Sequence, residues 1–306
     1  MNLNIEEREE ILDFFEKENN VDLPYAIKIS SPKAGKNILI SGAVHGNEPV
    51  GTRFAYNFIK DFKAGKINLE SGSITFVLGN PKAFEKNQRY IDSDLNRIFD
   101  FPEEKKNSYE WHRAKEMDNF LKENNFDFGI DLHSVSVGNV QIYICDKDNQ
   151  KLKQLLEETS AIKTIFYFDK KSIPGTFMNR FEKYQSNGIG LECGNHSSEI
   201  AISVAEKQVD ILLKKFGLIK GDYKDNVYKG DLDIYETITH IRTGDNFKWL
   251  LEEHKTGLKV NKGEKICTDD KNGIQVAEQD SYLFMPTAEE KVKETDYDAG
   301  YLCIKK

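Results

Sequence analysis

The sequence predicts a mixed α/β sheet flanked by helices, followed by a smaller C-terminal β-rich domain. Three observations lead there. Short apolar runs alternate with amphipathic stretches through the first two thirds of the chain, the pattern of a sheet covered by helices. That alternation breaks between Gly217 and Gly230, where Gly, Asp, Lys and Tyr replace the apolar periodicity. Beyond the break, short β-like pieces are separated by turn-rich or charged segments. A chain of 306 residues is long for one domain, so two are expected, over 1–222 and 223–306.

Taken in order, the predicted strands are Asn37 to Ser41, Ile74 to Leu78, Phe128 to Leu132, Val140 to Cys145, Ile165 to Phe168 and Ile189 to Glu192. Each is a short apolar run of strand length. Helices are expected over Ile5 to Glu18, Val50 to Phe62, Tyr109 to Asn124 and Glu199 to Phe216. In the second, Val50, Phe54, Phe58 and Ile59 recur at helical spacing, and Pro49 suits a first turn. The C-terminal part offers strands at Ile234 to Ile241, Lys265 to Thr268, Ile274 to Ala277, Tyr282 to Met285 and Tyr301 to Ile304.

Hydrophobic residues make up 39% of the chain, with 19 Phe and 13 Tyr, enough for a sizeable core and too many for a disordered protein. The net charge of -8 argues against nucleic acid or an anionic membrane as a main partner, since both attract basic surfaces. A small anionic ligand stays open, because it feels the local field of its cleft. No apolar run approaches the ~18 residues of a membrane helix. The acidic start lacks the features of a signal peptide, so a cytoplasmic protein is expected. Cys145, Cys193, Cys267 and Cys303 are scattered and form no C-x-x-C pair, which suits reduced thiols.

Four segments carry chemistry. Ile38 to Val50 runs from a strand through Gly42 into a turn with His45 and Glu48, both ordinary zinc-ligand types; two exposed polar residues in a loop are the competing reading. Phe126 to Ser134 places His133 directly after a strand, and His45, Glu48 and His133 would together make the three protein ligands of a catalytic zinc. Asp131 could support one of them from behind, or cap a turn. Gly79 to Phe99 holds Arg89, Asn96 and Arg97 among acidic residues; such groups suit a carboxylated substrate, and ion pairs with Asp92 and Asp94 are the alternative. Asn187 to His196 ends a strand on Glu192, a candidate general base and acid for metal-assisted hydrolysis, or else a partner for a helix terminus.

In this order and spacing, G-x-x-H-G-N-E, N-P-x-A, R-Y-I-D-x-D-L-N-R, D-L-H and the strand-end glutamate resemble the succinylglutamate desuccinylase/aspartoacylase family, related to zinc carboxypeptidases. The likeness covers about half the chain, Asn37 to Asn195. It implies a zinc carboxypeptidase-like fold and one Zn2+ per chain held by His45, Glu48 and His133. It further implies Glu192 as general base and acid, Arg89 as the group polarising the scissile carbonyl, and Asn96 and Arg97 as holders of a substrate carboxylate. Arg180 lies near the place of another substrate-binding arginine, with Lys183 and Tyr184 as neighbours that could serve instead.

The implied reaction is hydrolysis of an N-acylated acidic amino acid, N-succinylglutamate foremost, as in arginine catabolism. Ile241 to Lys248 and Gly273 to Pro286 resemble the bacterial desuccinylase branch, and Thr287 to Lys293 lacks the A-Y-Y-E tyrosine of aspartoacylases. Aspartoacylase activity on N-acetylaspartate, a carboxypeptidase or deglutamylase, and a non-catalytic metal-binding protein are the rivals. His196, in a departure from both branches, either enters the pocket or faces solvent. Trp111, His112, His240 and His254 match no motif and are assigned to core or surface. The sequence leaves the oligomeric state open.

Overall fold

The computed structural model describes residues 3–135, 139–169, 173–185, 187–287 and 298–306. Helix α1 (Ile5–Lys17) starts at a reciprocal cap: Glu7 N–H donates to the Asn4 side chain at 2.8 Å and Asn4 N–H to the Glu7 carboxylate at 2.9 Å. A cap of this kind contributes ~1 kcal/mol. Strands β1 (Ala26–Ser30) and β2 (Asn37–Gly42) precede α2 (Val50–Lys63), then β3 (Ser73–Leu78) and the short α3 (Pro81–Glu85), capped by Asn80. A long loop with two short 3-10 turns, at Leu95–Arg97 and Glu103–Lys105, leads to α4 (Tyr109–Glu123), which starts on Ser108.

Next come β4 (Phe128–Val135), β5 (Gln141–Asp146), α5 (Gln150–Thr159), β6 (Thr164–Phe168), α6 (Phe177–Tyr184), β7 (Gly188–Asn195) and α7 (Glu199–Lys215). Side chains of Asn149, Thr176 and Ser198 accept from the first turns of α5, α6 and α7. The chain ends in β8 (Asp233–Arg242), β9 (Lys248–Trp249), β10 (Leu258–Val260), β11 (Lys265–Asp269), β12 (Gly273–Val276), β13 (Ser281–Phe284) and β14 (Asp298–Lys305).

Every predicted strand and helix is present, within a few residues of its expected ends. The sequence reading lacked β1, β9, β10, α3, α5 and α6. All are short, so too few turns or alternations were available to establish a period.

An 11-stranded mixed sheet runs in the order β1-β3-β2-β4-β7-β5-β6-β8-β14-β13-β10, and β12-β11-β9 form a second sheet. The expected boundary at 222/223 is crossed by the large sheet, for β8 pairs in parallel with β6. Strands β8, β14, β13 and β10 therefore extend the sheet of the first part. Among these strands β2, β3 and β4 bury side chains on both faces. Ile38, Ile40, Ile74 and Phe76 join one cluster with Ile11 and Phe15 of α1, Phe54 of α2 and Val209 of α7. Leu39 and Val77 join the opposite cluster with Met117 and Leu121 of α4 and Phe181 of α6. A sheet covered on both sides accounts for near-continuous apolar runs in place of alternation.

Parallel β2 lies between β3 and β4. The chain leaves β2 for β3 on one side and later returns on the other through β4, so the connections diverge and open a crevice beyond the strand ends. Glycines let α2 approach there: a Cβ on Gly51 would lie 2.8 Å from the Leu132 Cβ, and one on Gly42 2.5 Å from the Gly51 carbonyl carbon. All four cysteines are free and buried. No helix among the described residues is long and apolar enough to cross a membrane.

Candidate metal and substrate site

The crevice holds His45, Glu48, Arg89, Asn96, Arg97, His133 and Glu192 of the residues that the sequence singles out. His45 and Glu48 sit in the turn after β2, where Ala43 takes a left-handed φ of 50°. That strained residue turns the chain sharply out of the strand. His133 lies near the end of β4, directly opposite Glu192 of β7 in the parallel register. Ligand atoms of His45, Glu48 and His133 all lie within 4.8 Å of one another, and all three residues are buried.

Each imidazole is oriented at both nitrogens. Nδ1 of His45 is 2.8 Å from Glu48 Oε1 and Nδ1 of His133 is 2.9 Å from Oε2, so the same nitrogen of both rings faces the shared carboxylate. On the far side, His45 Nε2 is 3.0 Å from Asp94 Oδ1 and His133 Nε2 is 2.7 Å from Asp131 Oδ2. The Ser134 N–H also donates to Glu48 Oε2 at 3.1 Å. Two imidazoles converging through one nitrogen, each backed by a carboxylate at the other, is the arrangement protein histidines adopt around a metal ion. Two nitrogens and a carboxylate oxygen form a donor set suited to zinc-type chemistry, so these residues fit a metal.

Charge reinforces the geometry. Burial opposes ionisation of Glu48, but the neighbouring histidines outweigh it and hold the carboxyl well below its usual range. Burial would likewise lower His133, yet Asp131 and Glu48 raise it well above the ordinary histidine value. Glu192 goes the other way. Its burial, then the charge of Glu48, push it up to about 7. Its Oε2 is buried with no hydrogen-bond partner among the described residues, and the side chain lines the cleft.

Arg89 also lines the cleft, donating from Nε to Asp94 at 3.1 Å and from Nη1 to Glu48 at 3.4 Å. Asn96 accepts the Phe177 N–H at the start of α6 through Oδ1, which leaves its amide nitrogen as the donor. Arg97 lines the same cavity beside it. His196 enters too, with Nδ1 2.9 Å from the Ser134 hydroxyl. Arg180 does not: it donates to Asp118 of α4 and lies over Phe101 and Tyr184, away from the cavity lining. Aspartates 94 and 298 are the site residues that sequence reasoning passed over. The first was read as an arginine partner only, and the second lies 201 positions from Arg97, with no local signal.

The cavity measures about 700 Å³. One wall carries the ligand cluster and the arginines, whereas Val140, Ile144, Phe166, Phe168, Ile173 and Met285 make the other apolar. Of the Thr287 to Lys293 stretch, only Thr287 is described, and it lines the cavity; 288–293 lie outside the described residues.

Residues 34–214 match the family model of the succinylglutamate desuccinylase/aspartoacylase catalytic domain. The chain belongs to this family. Its members are N-acyl amino acid amidohydrolases. A probable aspartoacylase of Prochlorococcus marinus is 27% identical over 76% of this chain and 95% of its own length. The N-acyl-aromatic-L-amino acid amidohydrolase (carboxylate-forming) of Rattus norvegicus is 29% identical over 51% of this chain and 52% of that protein. Matches to curated succinylglutamate desuccinylases span only 27% to 32% of those proteins. The fold extends further than the sequence likeness: the succinylglutamate desuccinylase structure from Vibrio cholerae superposes with a TM-score of 0.73 at 19% identity, over 92% of this chain and 85% of that one.

Proposed function

We propose that the chain is a zinc-dependent amidohydrolase that cleaves the amide of an N-acylated acidic amino acid, N-succinylglutamate foremost. The observation that carries this reading is the meeting, in one cleft, of a carboxylate-backed His45–Glu48–His133 cluster with Glu192, a buried acid lacking a hydrogen-bond partner among the described residues. In this reading one Zn2+ per chain is held by Nδ1 of both histidines and by Glu48. Zinc there would supply Lewis acidity, polarising the scissile carbonyl and acidifying water.

The chain's own residues do the rest. Glu192 takes the proton of the attacking water and returns it to the leaving nitrogen. In the metal-free site burial and Glu48 raise its pKa to about 7, so it holds a proton more readily than an ordinary glutamate. Arg89, now turned toward Asp94 and Glu48, swings a donor to the carbonyl oxygen as negative charge builds there. The Asn96 amide and Arg97 hold the carboxylate of the amino acid. The products are the free acyl acid and the free amino acid.

A second reading rests on the apolar wall. Phe166, Phe168, Ile144 and Ile173 offer nothing to a succinyl carboxylate but would bury an aromatic or aliphatic group, worth ~1.5 to 3 kcal/mol for a side chain of Leu or Phe size. An N-acyl-aromatic substrate then replaces the acidic one with the same chemistry. N-acetylaspartate hydrolysis and peptide carboxypeptidase or deglutamylase action remain the other assay arms, and a metal-binding protein without turnover is the outcome in another class.

The same reading includes a cytoplasmic enzyme acting on a small anionic substrate, and units at 1–222 and 223–306. The apolar cluster of Ile241, Trp249, Val260, Ile266 and Leu283 supports a separate C-terminal core. The deciding assay compares release of amino acid from N-succinylglutamate, N-acetylaspartate and N-acetylphenylalanine by zinc-loaded protein and by Glu192→Ala. Turnover of the succinyl compound that disappears in Glu192→Ala supports the first reading, and preference for the phenylalanine compound replaces it with the second. Zinc binding without turnover of any N-acyl amino acid or peptide overturns both.

A further inference from the structure

Arg97 is gripped by a carboxylate from the far end of the chain. Asp298 opens β14, paired opposite Arg242 of β8. Its Oδ2 accepts from Nε of Arg97 and also faces Nη2 of the same guanidinium. Its Oδ1 lies 2.9 Å from Nε2 of His240, and the His240 ring stacks on Tyr301 with centroids 4.8 Å apart and planes at 17°. Tyr301 itself lines the cleft. His240, assigned by the sequence to core or surface, is thus part of a chain of contacts that ends at the candidate substrate arginine. Burial disfavours the Asp298 anion, but Arg97 and His240 outweigh it and hold the carboxyl well below its usual range.

A guanidinium offers five N–H donors in a rigid fork. Here Nε and Nη2 meet Asp298, and Nη1 donates to the Asn96 carbonyl at 2.7 Å. One hydrogen on each terminal nitrogen stays available to a ligand in the cleft. Resting on the function proposed above, we propose that Asp298 is a positioning residue, which clamps one side of the Arg97 guanidinium and so aims its remaining hydrogens at the substrate carboxylate. The recognition arginine comes from the loop after α3, and its clamp from the last strand.

Charge and positioning predict opposite signs, which makes the idea testable. As a bare negative charge beside an anion site, Asp298 repels substrate, and Asp298→Ala should lower KM. As a clamp it improves binding, and the same change should raise KM for the N-acyl acid on the order of 10- to 100-fold while kcat stays within about twofold. KM for the analogue with that carboxylate capped as an amide should not move, and Asp298→Glu should recover part of the loss. A lowered or unchanged KM, or an equal rise for both substrates, overturns the proposal.

Crystal structures of zinc-loaded wild type and Asp298→Ala give a readout independent of turnover: a displaced Arg97 guanidinium supports the clamp, and an unmoved one overturns it. If wild type hydrolyses no N-acyl amino acid, the proposed function fails, and the Arg97 pose alone decides this inference. Should Asp298→Ala not fold, His240→Phe keeps a ring against Tyr301 while removing the contact to Oδ1, and the same rise in KM and displacement of Arg97 are expected at smaller amplitude.

Discussion

Asp131 Oδ2 stands 2.7 Å from His133 Nε2, on the side of the ring opposite Glu48. Asp131 is itself fixed by a 2.8 Å bond from the Ser41 hydroxyl of β2, so one strand orients a candidate ligand on the next. Its carboxylate favours the tautomer with the proton on Nε2, leaving Nδ1 as the lone-pair donor.

Asp131→Asn removes that preference. Metal affinity is expected to fall ~10- to 100-fold. Zinc retained against a graded series of chelators, compared with wild type, measures the change. Equal retention would mean that Asp131 only pairs with Ser41 and does not tune the cluster.

Arg89→Ala separates chemistry from assembly. Arg89 is about a third exposed and rests on two carboxylates that also bind His45, so the fold does not depend on it. Loss of one oxyanion donor typically costs ~3 to 4 kcal/mol, a drop in kcat of roughly 10²- to 10³-fold. Zinc content should stay at the wild-type level. A comparable loss of zinc would instead assign Arg89 to the scaffold of Asp94 and Glu48.

Arg180→Ala should do the reverse. Asp118 is fully buried, and although burial opposes its charge, Arg180 and Lys122 hold its carboxyl at about 2. Removing the arginine leaves a buried charge with only Lys122 and the Tyr184 hydroxyl, at a cost of roughly 3 kcal/mol. The midpoint of denaturant unfolding should shift accordingly, while KM and kcat of the folded fraction stay unchanged. A raised KM with unaltered stability would bring Arg180 back to the substrate.

These contrasts trace what a sequence can and cannot carry. His45, Glu48, His133 and Glu192 were legible because the first two follow the apolar run of β2 and the others lie near the ends of β4 and β7, and strand ends in a parallel sheet converge where the connections diverge. Arg180 was misleading because its spacing says nothing about which face of α6 it occupies; that face packs on α4. Asp298 was invisible, since its pairing with Arg97 exists only after β14 joins β8. The expected 222/223 boundary rests on a break in apolar periodicity, and the hydrogen bonding between β6 and β8 across it leaves no trace in composition.

Glu192 also predicts a pH signature of the metal-free protein. Its carboxyl ionises near the ordinary glutamate value of 4.5 when unfolded and at about 7 when folded. Between those values the folded state binds more protons, so this contribution to stability is fully present below about 4.5 and is lost as pH rises through about 7. At 1.36 kcal/mol per pKa unit, the metal-free wild type should lose on the order of 2 kcal/mol more than Glu192→Gln between pH 5 and pH 8. Urea unfolding of both proteins with chelator present measures the difference, and parallel pH profiles would show that Glu192 is solvated and ionised in the fold. Saturating zinc should shrink the difference, because a nearby cation favours the ionised carboxylate that burial and Glu48 disfavour.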